Sequence, residues 1–141
     1  MRVFFGHPKA WEAGQSAEFA SSVQQAMADE LKVPVTVVTG KQDYEQNAAR
    51  CGNFNGWCRD VVKRTDYQTG KRVYDLILLP RIPGLGKATG QIVQLALAEG
   101  IPVIEAEWLE GGGFKARPVS HVREYDPEDY ISGWRVITTD T

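Results

Sequence analysis

The sequence predicts an α/β fold in which one domain, spanning residues 1–141, forms a mainly parallel five-stranded sheet in the order 2-1-3-4-5. Residues 74–107 are typical of a buried strand, a glycine-rich turn, an apolar helix and a second buried strand, the unit that builds parallel sheets. Residues 3–39 show a similar alternation of strand, helix and strand. The length of 141 residues and the hydrophobic content of 43% suit a single globular domain of this Rossmann-like or flavodoxin-like kind.

The amino-terminal half contains two predicted strands and a helix between them. Val3–Phe5 is a short apolar run, which predicts the first and central strand. Apolar residues recur every four positions between 19 and 31, which predicts an amphipathic helix. Val35–Thr39 is rich in β-branched residues and is predicted as the second strand. Residues 41–56 are polar and have no clear period, so we expect an irregular segment there, followed by a short helix at 57–62.

The carboxyl-terminal half contains the remaining predicted elements. Four consecutive aliphatic residues at 76–79 predict a third strand that is buried on both faces. Residues 88–99 are nearly all apolar and predict a buried helix, after which Val103 begins a fourth strand. Asp126 is followed by proline and two acidic residues, which is typical of a helix start. Residues 134–138 predict a fifth strand at the edge of the sheet.

Composition and charge exclude several classes of protein. The formal net charge of −2 and the pI near 5.7 argue against a nucleic-acid partner. Five basic residues between 59 and 72 form a local cluster, for which a solvated surface is the preferred interpretation and a basic patch the alternative. No run approaches the roughly 18 apolar residues of a membrane span, and the amino terminus lacks a signal-peptide pattern. We therefore expect no membrane partner and a cytoplasmic location.

The two cysteines do not predict a metal site. Cys51 and Cys58 are too far apart for a C-x-x-C motif, and no histidine pair lies near them. We expect two free thiols and no bound metal, although the sequence does not exclude a disulfide.

A glycine-rich turn after the third strand provides the main candidate ligand site. Arg81 follows the buried strand directly and could bind a phosphate or a carboxylate. Gly84 and Gly86 let the backbone approach a ligand, Lys87 adds a positive charge and Thr89 a hydroxyl at the start of the next helix. The spacing matches neither the dinucleotide motif nor the Walker A motif, so we expect no cofactor.

Other candidate residues follow the neighbouring strands. If the first and third strands are adjacent, Gly6 and His7 face the glycine-rich turn, where His7 could contact a ligand or move a proton. Asp43 follows the second strand and could bind ribose hydroxyls or a base edge, with a solvated loop as the alternative. Glu105 and Glu107 follow the fourth strand with alternate orientation, and a carboxylate there could act as general acid, base or nucleophile.

Three stretches of the chain resemble the nucleoside 2-deoxyribosyltransferase-like superfamily. Met1–Pro8 resembles its opening strand and Gly-x-Pro turn, and Tyr74–Leu79 resembles its Asp-led third strand. Gly90–Val103 resembles the helix and strand usually written with Gly-Thr-x-x-Glu and Gly-Lys-Pro-Val. The last stretch is also similar to the Pro-Gly-Gly-x-Gly-Thr-x-x-Glu motif of nucleotide phosphoribohydrolases of the lysine-decarboxylase-like type.

The resemblance implies a small flavodoxin-like domain that acts on N-glycosidic bonds and forms a homo-oligomer, because relatives complete their sites across subunits. In both families a helix glutamate does the chemistry, whereas this helix offers Gln91, whose amide could only bind a sugar, or Ile92. The catalytic carboxylate is then expected from Asp43, Glu105 or Glu107. The predicted function is recognition of a nucleoside or nucleotide with cleavage or transfer at its N-glycosidic bond. The alternatives are a non-catalytic binder of a nucleotide-derived metabolite and an interaction module without a small-molecule ligand.

Overall fold

A computed structural model describes residues 1–7, 14–81, 85–111, 113–124 and 134–138. The strands are β1 (Arg2–Phe5), β2 (Thr36–Thr39), β3 (Leu76–Pro80), β4 (Val103–Trp108), β5 (Phe114–Glu124) and β6 (Trp134–Thr138). The helices are α1 (Gly14–Leu31), α2 (Gly40–Asn47), α3 (Phe54–Lys63) and α4 (Lys87–Ala98), with a 3-10 turn at Ala48–Cys51 between α2 and α3. No helix of the described part of the chain is long and apolar enough to cross a membrane.

The strands form one sheet in the order β2-β1-β3-β4-β5-β6 within the described residues. Strands β1 to β4 are mutually parallel, and β5 and β6 are added antiparallel. The predicted α/β class, the mainly parallel sheet and the order 2-1-3-4-5 are confirmed. One strand was not predicted: β5 lies between β4 and the strand at 134–138, which is therefore the sixth strand of the chain. The predicted helix start at Asp126 lies outside the described residues.

The polar segment 41–56 is helical, so the expectation of an irregular segment there was wrong. Thr39 begins α2 with a capping box, in which its Oγ1 accepts the Gln42 N–H at 3.2 Å and Gln42 Oε1 accepts the Thr39 N–H at 3.0 Å. Asn53 begins α3, and its side-chain oxygen accepts the Gly56 N–H at 2.7 Å. These local caps specify helices that the hydrophobic period did not indicate.

The helices cover the sheet on both faces. On one face, α1 packs over alternate residues of β1 and β3, among them Phe5, whose ring stacks on Phe19 at 5.1 Å. On the other face, α3 and α4 pack over the intervening residues, including Phe4 and Ile77. Burial on both faces explains why the central strands are continuous apolar runs.

The strand order creates a topological switch point. The chain passes from β1 to β2 through α1 on one face, and from β3 to β4 through α4 on the other. Because β1 and β3 are parallel neighbours, their carboxyl ends lie side by side where the two connections diverge. Open α/β sheets bind ligands at this position, which makes the described residues around it the candidate site.

Candidate functional site

Gly6 lies where β1 meets the start of α4. Its N–H donates to the Leu78 carbonyl at 3.0 Å, and a Cβ at this position would lie 2.6 Å from Thr89 Cγ2 and 3.3 Å from Leu79 Cδ2. The loop after β1 and the first turn of α4 are therefore in direct contact, as the strand pairing predicted. The missing side chain at Gly6 permits this packing, and its role in ligand binding stays a prediction.

His7 follows Gly6 at the same edge and is half-buried. Its ring lies 5.7 Å from the Phe5 ring, with an angle of 41° between the two planes. The imidazole thus packs near the end of β1, at the switch point, and its predicted contact with a ligand is untested.

The amino terminus of α4 presents a positive end to solvent. Gly86 is the N-cap and has no side chain that could accept the N–H groups of the first turn. Both Gly86 and Lys87 are exposed, while Thr89 is half-buried against Gly6. A helix of 12 residues with an uncapped start and an adjacent lysine favours an anion at this end. Gly84, which was predicted to line the same turn, lies outside the described residues.

Four charged side chains, Arg81, Glu105, Glu107 and Arg117, form a cluster at the carboxyl ends of β3 and β4, which we call the charged cluster. The Arg81 backbone N–H donates to the Ala106 carbonyl at 2.9 Å and continues the ladder, while its guanidinium pairs with the Glu107 carboxylate. These two side chains are 48% and 41% exposed, so the ion pair is open to solvent.

Glu105 is the half-buried member of the charged cluster. It pairs in register with Leu79 of β3 and Arg117 of β5. Glu105 and Glu107 are two residues apart within β4 and so share one face of the sheet; the expected alternate orientation was wrong.

The pKa of Glu105 is raised by its burial. The positive charges of Arg81 and Arg117 lower it in part, and the negative charge of Glu107 raises it further. A carboxyl group with a raised pKa holds its proton at a higher pH, which suits it to general acid and base chemistry.

Asp43, the other candidate carboxylate, is only 1% exposed and faces the core from α2. Trp57 Nε1 donates to its Oδ1 at 2.9 Å, the Arg64 guanidinium donates to both oxygens at 2.8 and 2.9 Å, and the Tyr74 hydroxyl donates to Oδ2. Burial alone would raise the pKa of Asp43, but the hydrogen bonds from Arg64, Tyr74 and Trp57 outweigh it and hold the pKa below its ordinary value.

Asp43 belongs to a chain of paired charges. Arg64 also binds Asp60, with its Nη2 at 2.6 Å from Oδ2, and Asp60 in turn binds Arg50 at 2.9 Å. We call Asp43, Arg64, Asp60 and Arg50 the carboxylate network. Because both oxygens of Asp43 are occupied inside the protein, its geometry favours a structural role over the predicted catalytic one.

Gln91 lies on the side of α4 that faces α3. It lines a groove of about 320 Å³ together with Asn55, Arg59, Gln94 and Leu95. This groove lies between the two helices and not between the ends of β1 and β3. The amide predicted to replace the family's glutamate is thus placed away from the charged cluster.

Arg117 was missed by the sequence analysis because β5 was not predicted. The alternation of Phe114 and Ala116 with Lys115 and Arg117 is the strand signal that could have identified it. The hydrogen-bond partners of Asp43 were also missed, since they lie 14 to 31 residues away in sequence.

The described residues contain no group of three or more His, Cys, Asp or Glu side chains that could hold a metal ion. Both cysteines are free thiols. Burial raises the pKa of Cys58 to about 11, so this thiol is unreactive at neutral pH.

Comparison of the chain with protein-family models, with curated proteins and with solved structures finds no match.

Proposed function

We propose that the domain recognises a nucleoside or nucleotide at the switch point and cleaves or transfers its N-glycosidic bond, with Glu105 as the catalytic carboxylate. The observation that supports this most directly is the charged cluster: a half-buried carboxyl with a raised pKa stands beside Arg81 at the carboxyl ends of parallel strands. Such ends are the usual ligand position in this architecture.

Within this proposal, some residues of the candidate site bind an anionic group of the ligand and others take part in the reaction. Lys87, Thr89 and the start of α4 suit a phosphate or another anionic group of the ligand. Arg81 provides a second positive charge, and its guanidinium forms an ion pair with Glu107. Glu105 would donate a proton to the leaving base or attack the sugar carbon, the two roles that carboxylates take at glycosidic bonds.

The second candidate function is binding without cleavage. The position of Gln91 favours it, because α4 supplies an amide where the resembled families have a glutamate, and this amide faces α3. A cytoplasmic location and assembly into a homo-oligomer belong to the same proposal; the former is supported by composition and the latter by the resemblance alone.

The test is incubation of the purified protein with a pooled panel of nucleosides and nucleotides, followed by native mass spectrometry and chromatography of released bases. Released base that disappears in Glu105→Gln supports the enzyme, while a retained ligand mass without released base supports the binder. Glu110→Gln is the matched control, because Glu110 is exposed in the turn after β4. If no panel member is bound or cleaved, both candidate functions are wrong.

Arg81→Ala separates the anion-binding part from the reacting part. We expect it to weaken binding of a phosphorylated ligand by about 1.5–3 kcal/mol, the range for a charged hydrogen bond, which is roughly 10- to 150-fold in Kd. Glu107→Gln should act in the opposite direction, because it releases Arg81 from its ion pair. Equal affinity in Arg81→Ala and the unaltered protein would remove Arg81 from the site.

A further inference from the structure

Residues 64–73 form a short hairpin between α3 and β3 that contains several internal hydrogen bonds. The strands of the hairpin are joined by a bridge between Thr65 and Arg72. Within the turn, Asp66 Oδ1 accepts the N–H groups of Gln68 at 2.8 Å and Thr69 at 3.1 Å. These bonds stabilise the turn that carries Tyr67.

Tyr67 lies in this turn and is 100% exposed. An aromatic ring with no covering contact contributes nothing to the core. A turn that is already hydrogen-bonded, however, lowers the entropy cost of placing this ring in a pocket of another molecule. Tyrosine is among the residues that most often dominate the energy of protein interfaces.

The surface beside the hairpin is basic, although the chain as a whole is acidic. Residues 50–72 contain six of the 16 Lys and Arg residues but two of the 18 Asp and Glu residues. Along the outer side of α3 lies an open groove of about 580 Å³, lined by Arg50, Cys51, Gly56, Arg59, Asp60, Lys63, Arg64 and Thr65.

The basic residues of this surface differ in how far they are neutralised. Arg50 and Arg64 bind Asp60, and Arg72 binds Glu99 at 2.7 Å. Arg59 in the groove and Lys71 in the hairpin make no ion pair among the residues that the structure describes. Both side chains are exposed, one on α3 and one in the hairpin, and remain available to a negatively charged partner.

We propose that the hairpin and the groove along α3 together form a docking surface for an acidic segment of a protein partner, with Tyr67 as its apolar anchor. The hairpin is separate from the charged cluster. The hairpin precedes β3 and the charged cluster follows it, so the two are separated by the five residues of this strand, about 16 Å at 3.3 Å per residue.

The distribution of charges and of exposed aromatic rings on this surface favours a protein partner over a single-stranded nucleic acid. Nucleic-acid grooves combine a continuous cationic track with several stacking rings. Here Asp60 and Glu99 interrupt the track by neutralising neighbouring cations, and Tyr67 is the one fully exposed ring among the described residues. One exposed ring at the hairpin, with exposed cations at Arg59 and Lys71, fits a short acidic stretch that contains one apolar side chain.

The test is a titration of the 15N-labelled full chain with a synthetic 15-residue peptide made of glutamates around a central leucine, followed by NMR. We expect chemical-shift changes confined to the groove and residues 64–73. The variant with Arg59→Glu and Lys71→Glu should raise the Kd at least tenfold, and Tyr67→Ser should raise it about fivefold. Neither change should alter the melting temperature, because all three side chains are exposed.

Two controls decide whether the surface is specific. Lys41→Glu makes a charge reversal of the same kind in the groove between α1 and α2 and should leave the Kd unchanged. A dT15 oligonucleotide should bind more weakly than the peptide. The proposal is overturned if millimolar peptide causes no shift at residues 64–73, if Lys41→Glu has the same effect as the double reversal, or if dT15 binds more tightly.

Discussion

Replacement of Asp43 by asparagine tests the structural role of the carboxylate network. The variant keeps the volume of the side chain but removes its charge, and it turns one acceptor oxygen into an NH₂ group that faces donors from Trp57, Arg64 or Tyr74. Removal of one partner from a buried ion pair costs about 3–5 kcal/mol. Because Arg64 keeps its bond to Asp60, we expect the lower end of this range, about 3 kcal/mol.

The assay is urea and thermal unfolding, in which this loss corresponds to a drop of about 10 °C in the melting temperature for a domain of this size. Asp29→Asn is the matched control, because Asp29 is exposed and accepts one hydrogen bond from Gln25; we expect it to change the free energy of unfolding by less than about 0.5 kcal/mol. A loss below about 1 kcal/mol in Asp43→Asn would refute the structural role.

Acid should abolish the difference between the unaltered protein and Asp43→Asn. The folded-state pKa of Asp43 lies below its ordinary value of 3.8. The stabilisation is therefore complete above that value and is lost as the pH falls through the folded-state pKa. The two proteins should differ most at neutral pH, and the difference should shrink as the pH falls below 3.8 and through the folded-state pKa of Asp43. A difference that is already absent at neutral pH, or that grows as the pH falls below 3.8, would contradict the ionised state of Asp43.

Two further substitutions test a contact at the candidate site, between Gly6 and Thr89, and a contact between α1 and the edge strand β2. Gly6→Ala should cost about 1–3 kcal/mol of unfolding free energy, because the new Cβ meets Thr89. Adding Thr89→Ser should restore most of it in a double-mutant cycle, and additive losses would contradict the contact. Gln24→Ala should cost about 1–2 kcal/mol in urea unfolding, because Gln24 Oε1 accepts the Val37 N–H of the outermost strand at 2.8 Å. Gln25→Ala is its exposed neighbour and control, and equal losses in both would contradict this assignment.

The central position of β3 in the sheet was predictable because its sequence is continuously apolar. Four consecutive aliphatic residues at 76–79 indicate a strand covered on both faces, and the helices that cover them have clear apolar periods. Strand β5 gives a weaker signal, since it lies near the edge of the sheet and carries charged residues on one face. The helices at 40–63 begin with side-chain caps at Thr39 and Asn53, which a search for hydrophobic periods does not detect.

The edge of the sheet where Arg81 and Glu105 meet was predictable from parallel strand order alone. The roles of individual side chains at this edge were harder to predict from the sequence. They depend on partner residues that are distant in sequence and come together only in the folded protein. Asp43 lies in the first turn of α2 and Glu105 lies within β4, and neither position by itself tells a structural carboxylate from a catalytic one. The distinction comes from Arg64 and Tyr74, which reach Asp43 from other elements.

Asp43 and Glu105 lie on the same face of the sheet and depart from their ordinary pKa values in opposite directions. At Asp43 the effect of four hydrogen bonds is larger than the effect of burial. The charged form is therefore stabilised and the pKa is lowered. At Glu105 burial outweighs the attraction of Arg81 and Arg117, so the pKa of its carboxyl group is raised. Proton exchange with a substrate requires partial exposure and a charge that the protein has not already satisfied. Glu105 is half-buried, whereas Asp43 is buried and both of its oxygens are hydrogen-bonded, so Glu105→Gln is the first variant with which to test for a catalytic carboxylate.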